Sequence, residues 1–252
     1  MVNNLTIIIP IYKLCSHRIT NLKYVYGNIK KQLPNVNVKI VEQVDNANTP
    51  PYLANHYGPD HVKYVLDTKT FNKSQLINQC IEHIDTPYIC VHDVDAYYDF
   101  KNSIKPELYE VDFYQPFYAC KHLNMVQSNE IMSKNKIPHQ YVTEKNGTDD
   151  RYTRMYGALS YIFNKKSFYE IGMLNNLYTG WGFEDCDLFM RVPIDRLTIN
   201  KTVIGVHLWH PTNHVNKEKN RETFAKTGLD IANIEEKINA IYPHDWKNNI
   251  SY

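Results

Sequence analysis

The first hundred residues alternate short apolar runs with longer amphipathic segments, and this alternation restricts the fold more than any other feature. The run from Leu5 to Ile9 is continuous and rich in β-branched residues, which is typical of a strand buried on both faces of a parallel sheet. Apolar residues at helical spacing follow over 18–32 and stop before Pro34. Similar runs return at 38–44 and 88–92. We therefore predict an α/β fold built on a mixed, mainly parallel sheet flanked by helices.

The remaining chain continues this pattern more loosely. We expect Ser74 to cap the helix before the strand at 88–92, and the polar stretch 128–154 to form a loop. Further elements are predicted as strands at 61–66, 113–119, 158–163 and 203–209, and as helices at 184–191 and from 218 onward. No linker or repeat divides the chain, so 252 residues predict one compact domain.

Composition excludes several classes of protein. The formal net charge of +1 offers no electrostatic footprint for nucleic acid. The 5 cysteines are scattered without a Cys-x-x-Cys spacing, which favours free thiols over a zinc or redox site. The apolar run near the start is too short to span a bilayer and lacks a basic leader, so we expect no transmembrane segment.

The first acidic motif is Asp93-Val94-Asp95, which directly follows the apolar run 88–92. Alternate residues of an extended segment point to the same side, so both carboxylates can face one ligand. One could hold a divalent ion and the other a hydroxyl. The alternative is an ordinary acidic turn after a strand, and the motif alone does not decide between them.

The second motif is His207-Leu208-Trp209-His210, which ends another apolar run just before Pro211. The two imidazoles could face one ion if the chain bends there, or they could be two hydrogen-bonded histidines at a strand end. A site of carboxylate oxygens and imidazole nitrogens suits Mn²⁺, and Mg²⁺ less well, because a structural zinc site would need thiolates that are missing here.

The third motif begins with Gly180-Trp181-Gly182. Glycines on both sides give the backbone the freedom that a lid needs if Trp181 is to stack on a ligand, whereas the alternative is a core tryptophan. Acidic residues follow in the first turn of a helix, where the macrodipole favours negative charge for purely structural reasons. Of these, Glu184 and Asp185 lie nearest the lid and are our candidates for chemistry.

Asp187 stands four residues before Arg191, a helical spacing at which the two side chains can pair. This pairing is the structural alternative to a role for Asp187 in binding substrate.

In this order, the motifs resemble the metal-dependent glycosyltransferases of the GT-A fold, and most closely the catalytic domain of the β-1,4-galactosyltransferases. The segment 71–78, Phe-Asn-Lys-Ser-Gln-Leu-Ile-Asn, is similar to the family's Phe-Asn-Arg-Ala-Lys-Leu-Leu-Asn. The segment 180–187 is similar to Gly-Trp-Gly-Gly-Glu-Asp-Asp-Asp. The likeness covers most of the chain and implies a single GT-A domain over 1–252 with a Rossmann-like sheet. Within it, 1–100 would be the nucleotide-binding half and 101–252 the acceptor and metal half.

Carried over residue by residue, the resemblance implies that Asp95 and His210 bind Mn²⁺ together with His207, which stands where the family commonly has methionine. Asp185 would be the catalytic base, and Glu184 would contact sugar hydroxyls. The substrate-binding residues so implied are Pro10, Tyr12, Arg18, Asp45, Asp93, Trp181, Gly182 and Asp187. Phe183 and Cys186 depart from the family pattern, and Tyr156-Gly157-Ala158 falls near the family's donor-selecting position.

The implied activity is a Mn-dependent, inverting transfer of a hexose or N-acetylhexosamine from a UDP-sugar to an acceptor hydroxyl, as in a glycan. Galactose, N-acetylgalactosamine, glucose and N-acetylglucosamine all remain open. Two alternatives stand beside it. One is a metal-dependent nucleotidyltransferase or phosphohydrolase, which would need a Gly-rich phosphate loop or a second carboxylate-rich site. The other is a non-catalytic sugar-binding relative. Because the first predicted strand begins within a few residues of Met1, we expect a cytoplasmic protein of microbial or viral origin.

Overall fold

The computed structural model describes residues 2–45, 54–66, 69–104, 111–137, 152–153, 159–211 and 215–241. Within these ranges the strands form a seven-stranded and a four-stranded sheet. The larger sheet contains β1 (Leu5–Ile11), β2 (Asn37–Val44), β3 (His61–Val65), β4 (Tyr88–His92), β6 (Phe113–Gln115), β9 (Ser160–Asn164) and β10 (Leu197–Ile199). The smaller sheet contains β5 (Ala96–Tyr97), β7 (Ala119–His122), β8 (Tyr152–Thr153) and β11 (Ile204–His207).

The centre of the larger sheet is parallel, because β1 pairs in parallel with both β2 and β4, and β9 runs antiparallel to β4 and β6. Its strand order is β10-β6-β9-β4-β1-β2-β3. Every residue of β1 and β4 is buried, as the continuous apolar runs predicted. The mixed α/β sheet predicted from the sequence is confirmed.

Helices cover both faces of the larger sheet. In chain order they are α1 (Ser16–Gln32), α2 (Ala54–Tyr57), α3 (Lys73–Glu82), α4 (Phe100–Ser103), α5 (Met125–Lys134), α6 (Lys165–Glu170), α7 (Glu184–Arg191), α8 (Lys217–Lys226) and α9 (Ile231–Ile241). α1 buries Leu22 and Ile29 in the same cluster as Ile7, whereas α3 buries Ile77 in the cluster on the other face, with Ile8. Because alternate side chains of β1 point to opposite faces of the sheet, this strand contributes residues to the core on both faces.

Three local predictions were wrong. Asn72, not Ser74, caps α3, because its side-chain oxygen accepts a hydrogen bond of 2.9 Å from the Gln75 N–H. The single strand expected at 113–119 is two strands in different sheets, and Pro116, which has no N–H to donate, stands between them.

The third concerns the stretch 128–154. Its first part, predicted as a loop, belongs to α5, which begins with a reciprocal capping box between Asn124 and Gln127 and buries Ile131.

The ends of β4 and β11 bring two of the sequence motifs together. β4 ends at His92, so Asp93 follows directly, and β5 starts just beyond Asp95. β5 pairs antiparallel with β11, with Ala96 opposite His207. This short pairing places the acidic motif beside the histidine motif at the mouth of the sheet, where ligands of open α/β folds bind.

Candidate active site

Asp95, His207 and His210 form a cluster in which one ligand atom of each lies within 4.8 Å of the others. The Asp95 carboxylate is buried, with Oδ1 at 3.6 Å from His207 Nε2 and Oδ2 at 3.1 Å from His210 Nε2. The Leu208 N–H donates to the Asp95 carbonyl at 2.7 Å, which fixes the two segments to each other. A buried carboxylate and two imidazoles, with no thiolate in the cluster, are a donor set that fits Mn²⁺.

Arg18, from the first turn of α1, reaches the same carboxylate. Its Nε and Nη2 donate to Asp95 Oδ2 at 3.1 and 2.9 Å, and Nη2 lies 3.5 Å from His210 Nε2. A guanidinium that donates twice to one carboxylate makes a strong, charge-assisted contact. Arg18 therefore contacts the candidate metal ligands directly, beyond the donor-binding role that the sequence suggested.

The electrostatics of the cluster favour the protonation states that bind metal. Burial acts to raise the pKa of Asp95, but His207, Arg18 and His210 hold that pKa well below its usual range. Burial lowers the pKa of His207, against the opposing attraction of Asp95. An ionised carboxylate and a neutral imidazole are the forms in which these side chains act as ligands.

A second cluster forms around Lys73, at the start of α3. Its Nζ lies 3.1 Å from Asp93 Oδ1, 3.1 Å from Asp185 Oδ2 and 3.7 Å from Glu184 Oε1. The Lys73 side chain is 9% exposed, and the Asp185 side chain is 13% exposed. One buried cation thus contacts carboxylates from two separate sequence motifs.

Burial would lower the pKa of Lys73, but Asp185, Asp93 and Glu184 raise it well above its ordinary value, so the lysine stays charged. Burial also raises the pKa of Asp185, with Lys73 opposing the rise and Glu184 adding to it. A carboxylate with a raised pKa is a stronger base than an exposed one.

The acids of α7 divide into two groups. Asp187 is buried, with Arg191 Nε at 2.7 Å and the Tyr178 hydroxyl at 3.0 Å. The predicted pairing with Arg191 is confirmed: Arg191 Nε donates to Asp187 Oδ1, and the Tyr178 hydroxyl donates to Oδ2. Glu184 and Asp185 face Lys73 instead.

Gly180, Trp181 and Gly182 form a fixed loop in front of α7. Gly180 has φ of +82°, and a Cβ there would collide with the Val215 carbonyl. The Asn220 side-chain amide donates to the carbonyls of Thr179, Trp181 and Gly182 at 2.9, 3.2 and 3.0 Å. Trp181 is 44% exposed, which excludes the alternative that it is a core tryptophan. The Lys217 ammonium group lies over the Trp181 ring, 5.2 Å from its centroid.

The residues predicted to hold the donor base are spread along one edge. The Tyr12 hydroxyl donates to Asp45 at 3.0 Å, and the Tyr12 ring stacks on Phe71 with centroids 5.9 Å apart. Lys13 pairs with Asp45 at 2.7 Å. Pro10 is buried within β1. Tyr156-Gly157-Ala158 lies outside the described residues.

A sequence profile for glycosyl transferase family 2 matches residues 6–172. The chain belongs to this family. A profile described as the N-terminal domain of galactosyltransferase matches residues 138–212 of this family-2 chain, so that segment is similar to the galactosyltransferase profile.

Human β-1,4-galactosyltransferase 4 is 25% identical over 191 residues, which are 67% of this family-2 chain and 47% of the relative. The chain thus spans about half the length of that curated relative.

The structure is similar to TarS 1-349 of S. aureus in complex with UDP-GlcNAc, with a TM-score of 0.57, 12% identity, and coverage of 94% of this chain and 71% of TarS. It is also similar to the mannosyltransferase PcManGT of Pyrobaculum calidifontis in complex with GDP-Man and Mn²⁺, with a TM-score of 0.55, 14% identity, and coverage of 94% and 68%. The fold is GT-A.

Sequence reasoning missed two residues at the carboxylate cluster, Lys73 and Tyr161. Lys73 stood within the galactosyltransferase-like segment 71–78, at the family's arginine, and that match was the available clue. The Tyr161 hydroxyl is buried without a hydrogen-bond partner, and the charges of Asp185 and Lys73 act on it.

Each helix within the described ranges is too short or too polar to span a bilayer.

Proposed function

We propose that this chain is a Mn²⁺-dependent, inverting glycosyltransferase that moves a hexose or N-acetylhexosamine from a UDP-sugar to an acceptor hydroxyl, as in a glycan. The observation that carries the proposal is the meeting of two clusters at one sheet mouth. The cluster of Asp95, His207 and His210 can hold a divalent ion, and the carboxylates of Glu184 and Asp185 lie across Lys73 from Asp93, two residues before Asp95. Membership of family 2 and the likeness to the galactosyltransferase profile support the same activity.

On the acceptor side, Asp185 accepts the proton from the hydroxyl that attacks the anomeric carbon. Its burial and raised pKa suit this role, since general-base catalysis is most effective when the base is not too weak. Glu184, on the same helical turn, accepts hydrogen bonds from sugar hydroxyls. Trp181, half-exposed on a loop that Asn220 anchors, supplies the surface on which a sugar ring stacks.

On the donor side, Asp95, His207 and His210 hold the ion. When bound, the ion neutralises the charge that develops on the departing diphosphate. Asp93 contacts the donor ribose or supports the ion from outside its ligand set. Arg18 adds a positive charge next to the diphosphate, and Tyr12, Asp45 and Pro10 line the place of the nucleotide base.

We also propose that residues 1–252 act as one catalytic unit, with 1–100 binding the nucleotide and 101–252 supplying the acceptor and metal side. The division is not strict, because Asp95 from the first half joins His207 and His210 from the second.

The test is a panel of UDP-sugars with Mn²⁺, scored for release of UDP and for thermal stabilisation of the protein. GDP-mannose belongs in the panel, because the similar structure of PcManGT is a complex with GDP-Man. We expect one or more UDP-sugars to give both signals. Stabilisation without UDP release would instead identify a non-catalytic sugar-binding protein, and silence with every UDP-sugar would refute the donor assignment.

A further inference from the structure

Lys73 occupies a place that its residue type rarely takes. Lysine is seldom fully buried unless it is paired, yet Lys73 is 8% exposed at the first position of α3. Its ammonium group meets Asp93 and Asp185 at 3.1 Å and Glu184 at 3.7 Å. These carboxylates come from two segments that the fold brings together from about ninety residues apart in sequence.

The geometry points to a positioning role: we propose that Lys73 keeps Asp185 ionised and aims its carboxylate at the acceptor, while tying that carboxylate to Asp93 on the donor side. The inference rests on the function proposed above and adds a residue that neither the motifs nor the family match assigns. Lys73 is not a catalytic residue here, because it acts through Asp185.

The charges around Asp185 explain why such a residue is needed. Glu184 and Asp93 are negative neighbours, Cys186 is the next residue on α7, and Tyr161 approaches from β9. Among the described groups that act most strongly on the Asp185 carboxyl, Lys73 is the cation. Like charges in one partly buried site raise carboxyl pKa values, and Lys73 opposes that rise, so without Lys73 the pKa of Asp185 would be higher still.

The Asn72 cap explains how Lys73 is held. The Asn72 side chain accepts from the Gln75 N–H and its amide donates to the Asn176 carbonyl at 3.0 Å, so the start of α3 is fixed on both sides. The backbone at Lys73 is therefore held by the helix start, and the surrounding carboxylates hold its ammonium group.

The test compares Lys73→Met, which keeps the stem but removes the charge, with Lys73→Arg, which restores it. For Lys73→Met we expect the acidic limb of the kcat/KM profile to move to higher pH by at least one unit and kcat at neutral pH to fall at least tenfold. We expect Lys73→Arg to recover most of the activity and most of the normal pH profile. Lys165→Met is the matched control, because Lys165 follows the end of β9 that is remote from Tyr161 and donates to the Ile84 carbonyl at 2.6 Å.

A direct titration separates this proposal from the proposed function. The carboxyl pKa of Asp185 is read by ¹³C NMR of protein labelled at aspartate Cγ, with Asp185→Asn to assign the signal, and this needs no turnover. A rise in that pKa in Lys73→Met supports the proposal even if no donor is found. An unchanged Asp185 pKa and an unmoved acidic limb, together with a lower melting temperature, would reduce Lys73 to a structural residue and overturn the proposal.

Discussion

In the proposed mechanism, one carboxylate, that of Asp185, acts as the base on the acceptor side. Asp185 combines burial, a raised pKa and contact with a buried cation, whereas Asp187, two residues later, is fully engaged with Arg191 and Tyr178. The same helical turn therefore presents one acid to the site and holds another in the fold.

Asp185→Asn is expected to lower kcat by about 10²- to 10⁴-fold, because an amide cannot accept the acceptor's proton. Donor affinity should stay within about twofold, since the metal cluster is separate. Initial rates with the best UDP-sugar and calorimetry with UDP check the two expectations. Asp195→Asn, an exposed aspartate, is the control, and an Asp185→Asn variant that turns over normally would remove this residue from the role of base.

Arg18→Met is expected to tighten Mn²⁺ binding by about tenfold, or 1.4 kcal/mol, in the absence of nucleotide. The guanidinium donates twice to Asp95 and so competes with the ion for that carboxylate, and its positive charge repels the ion. Electron paramagnetic resonance of free Mn²⁺ measures the affinity. Arg221→Met, on the exposed side of α8, is the control, and weaker Mn²⁺ binding by Arg18→Met would contradict this competition.

Among the elements, α8 positions the Trp181 loop through Asn220, which is 1% exposed. Its amide satisfies three loop carbonyls, and its side-chain oxygen accepts from the Thr179 N–H at 3.3 Å. The exposed tryptophan thus stands on a loop whose backbone polar groups are bound to a neighbouring helix.

Asn220→Ala is expected to destabilise the protein by about 1–3 kcal/mol, because three partly buried carbonyls lose their donor. Urea unfolding measures the loss, and hydrogen exchange at residues 179–182 should become faster than in the wild type. Lys219→Ala, an exposed neighbour on the same helix, should change neither quantity. Unaltered exchange in the loop of Asn220→Ala would mean that other contacts hold Trp181.

At the level of elements, some features of the fold and of the site could be predicted from the sequence and others could not. The meeting of Asp95, His207 and His210 was predictable from the family resemblance, and in the structure the antiparallel pairing of β5 with β11 produces it. The burial of Lys73 was not predictable, because a lysine in the first turn of a helix is usually exposed and the carboxylates around this one come from distant segments. α5 was missed because its sequence is mostly polar, and local capping by Asn124 and Gln127 replaced the apolar stripe that the prediction required.

The whole molecule contains a buried histidine outside the candidate metal ligands. His92 lies at the end of β4, where its ring contacts Tyr98 and Phe100, and its Nε2 is 3.0 Å from the Ala96 carbonyl. Burial lowers its pKa to about 4. As pH falls from 6.5, the unfolded chain takes up a proton at this residue before the folded chain does, so the free energy of unfolding decreases until pH 4.

His92→Gln is expected to remove about 3 kcal/mol of the loss of stability between pH 6.5 and 4, although the variant is less stable at neutral pH. Urea unfolding at several pH values checks this, and His83→Gln, at an exposed site, should keep the slope of the wild type. Equal slopes for His92→Gln and the wild type would show that His92 titrates normally in the folded protein.

The Lys73 cluster also bears on which molecules the site admits. Three carboxylates surround one ammonium group, so the chamber that would receive the acceptor retains an excess of negative charge. An acceptor bearing a carboxylate, sulfate or phosphate near its reactive hydroxyl would be repelled there. If the proposed function holds, we expect the site to accept neutral or amine-bearing acceptors in preference to anionic ones.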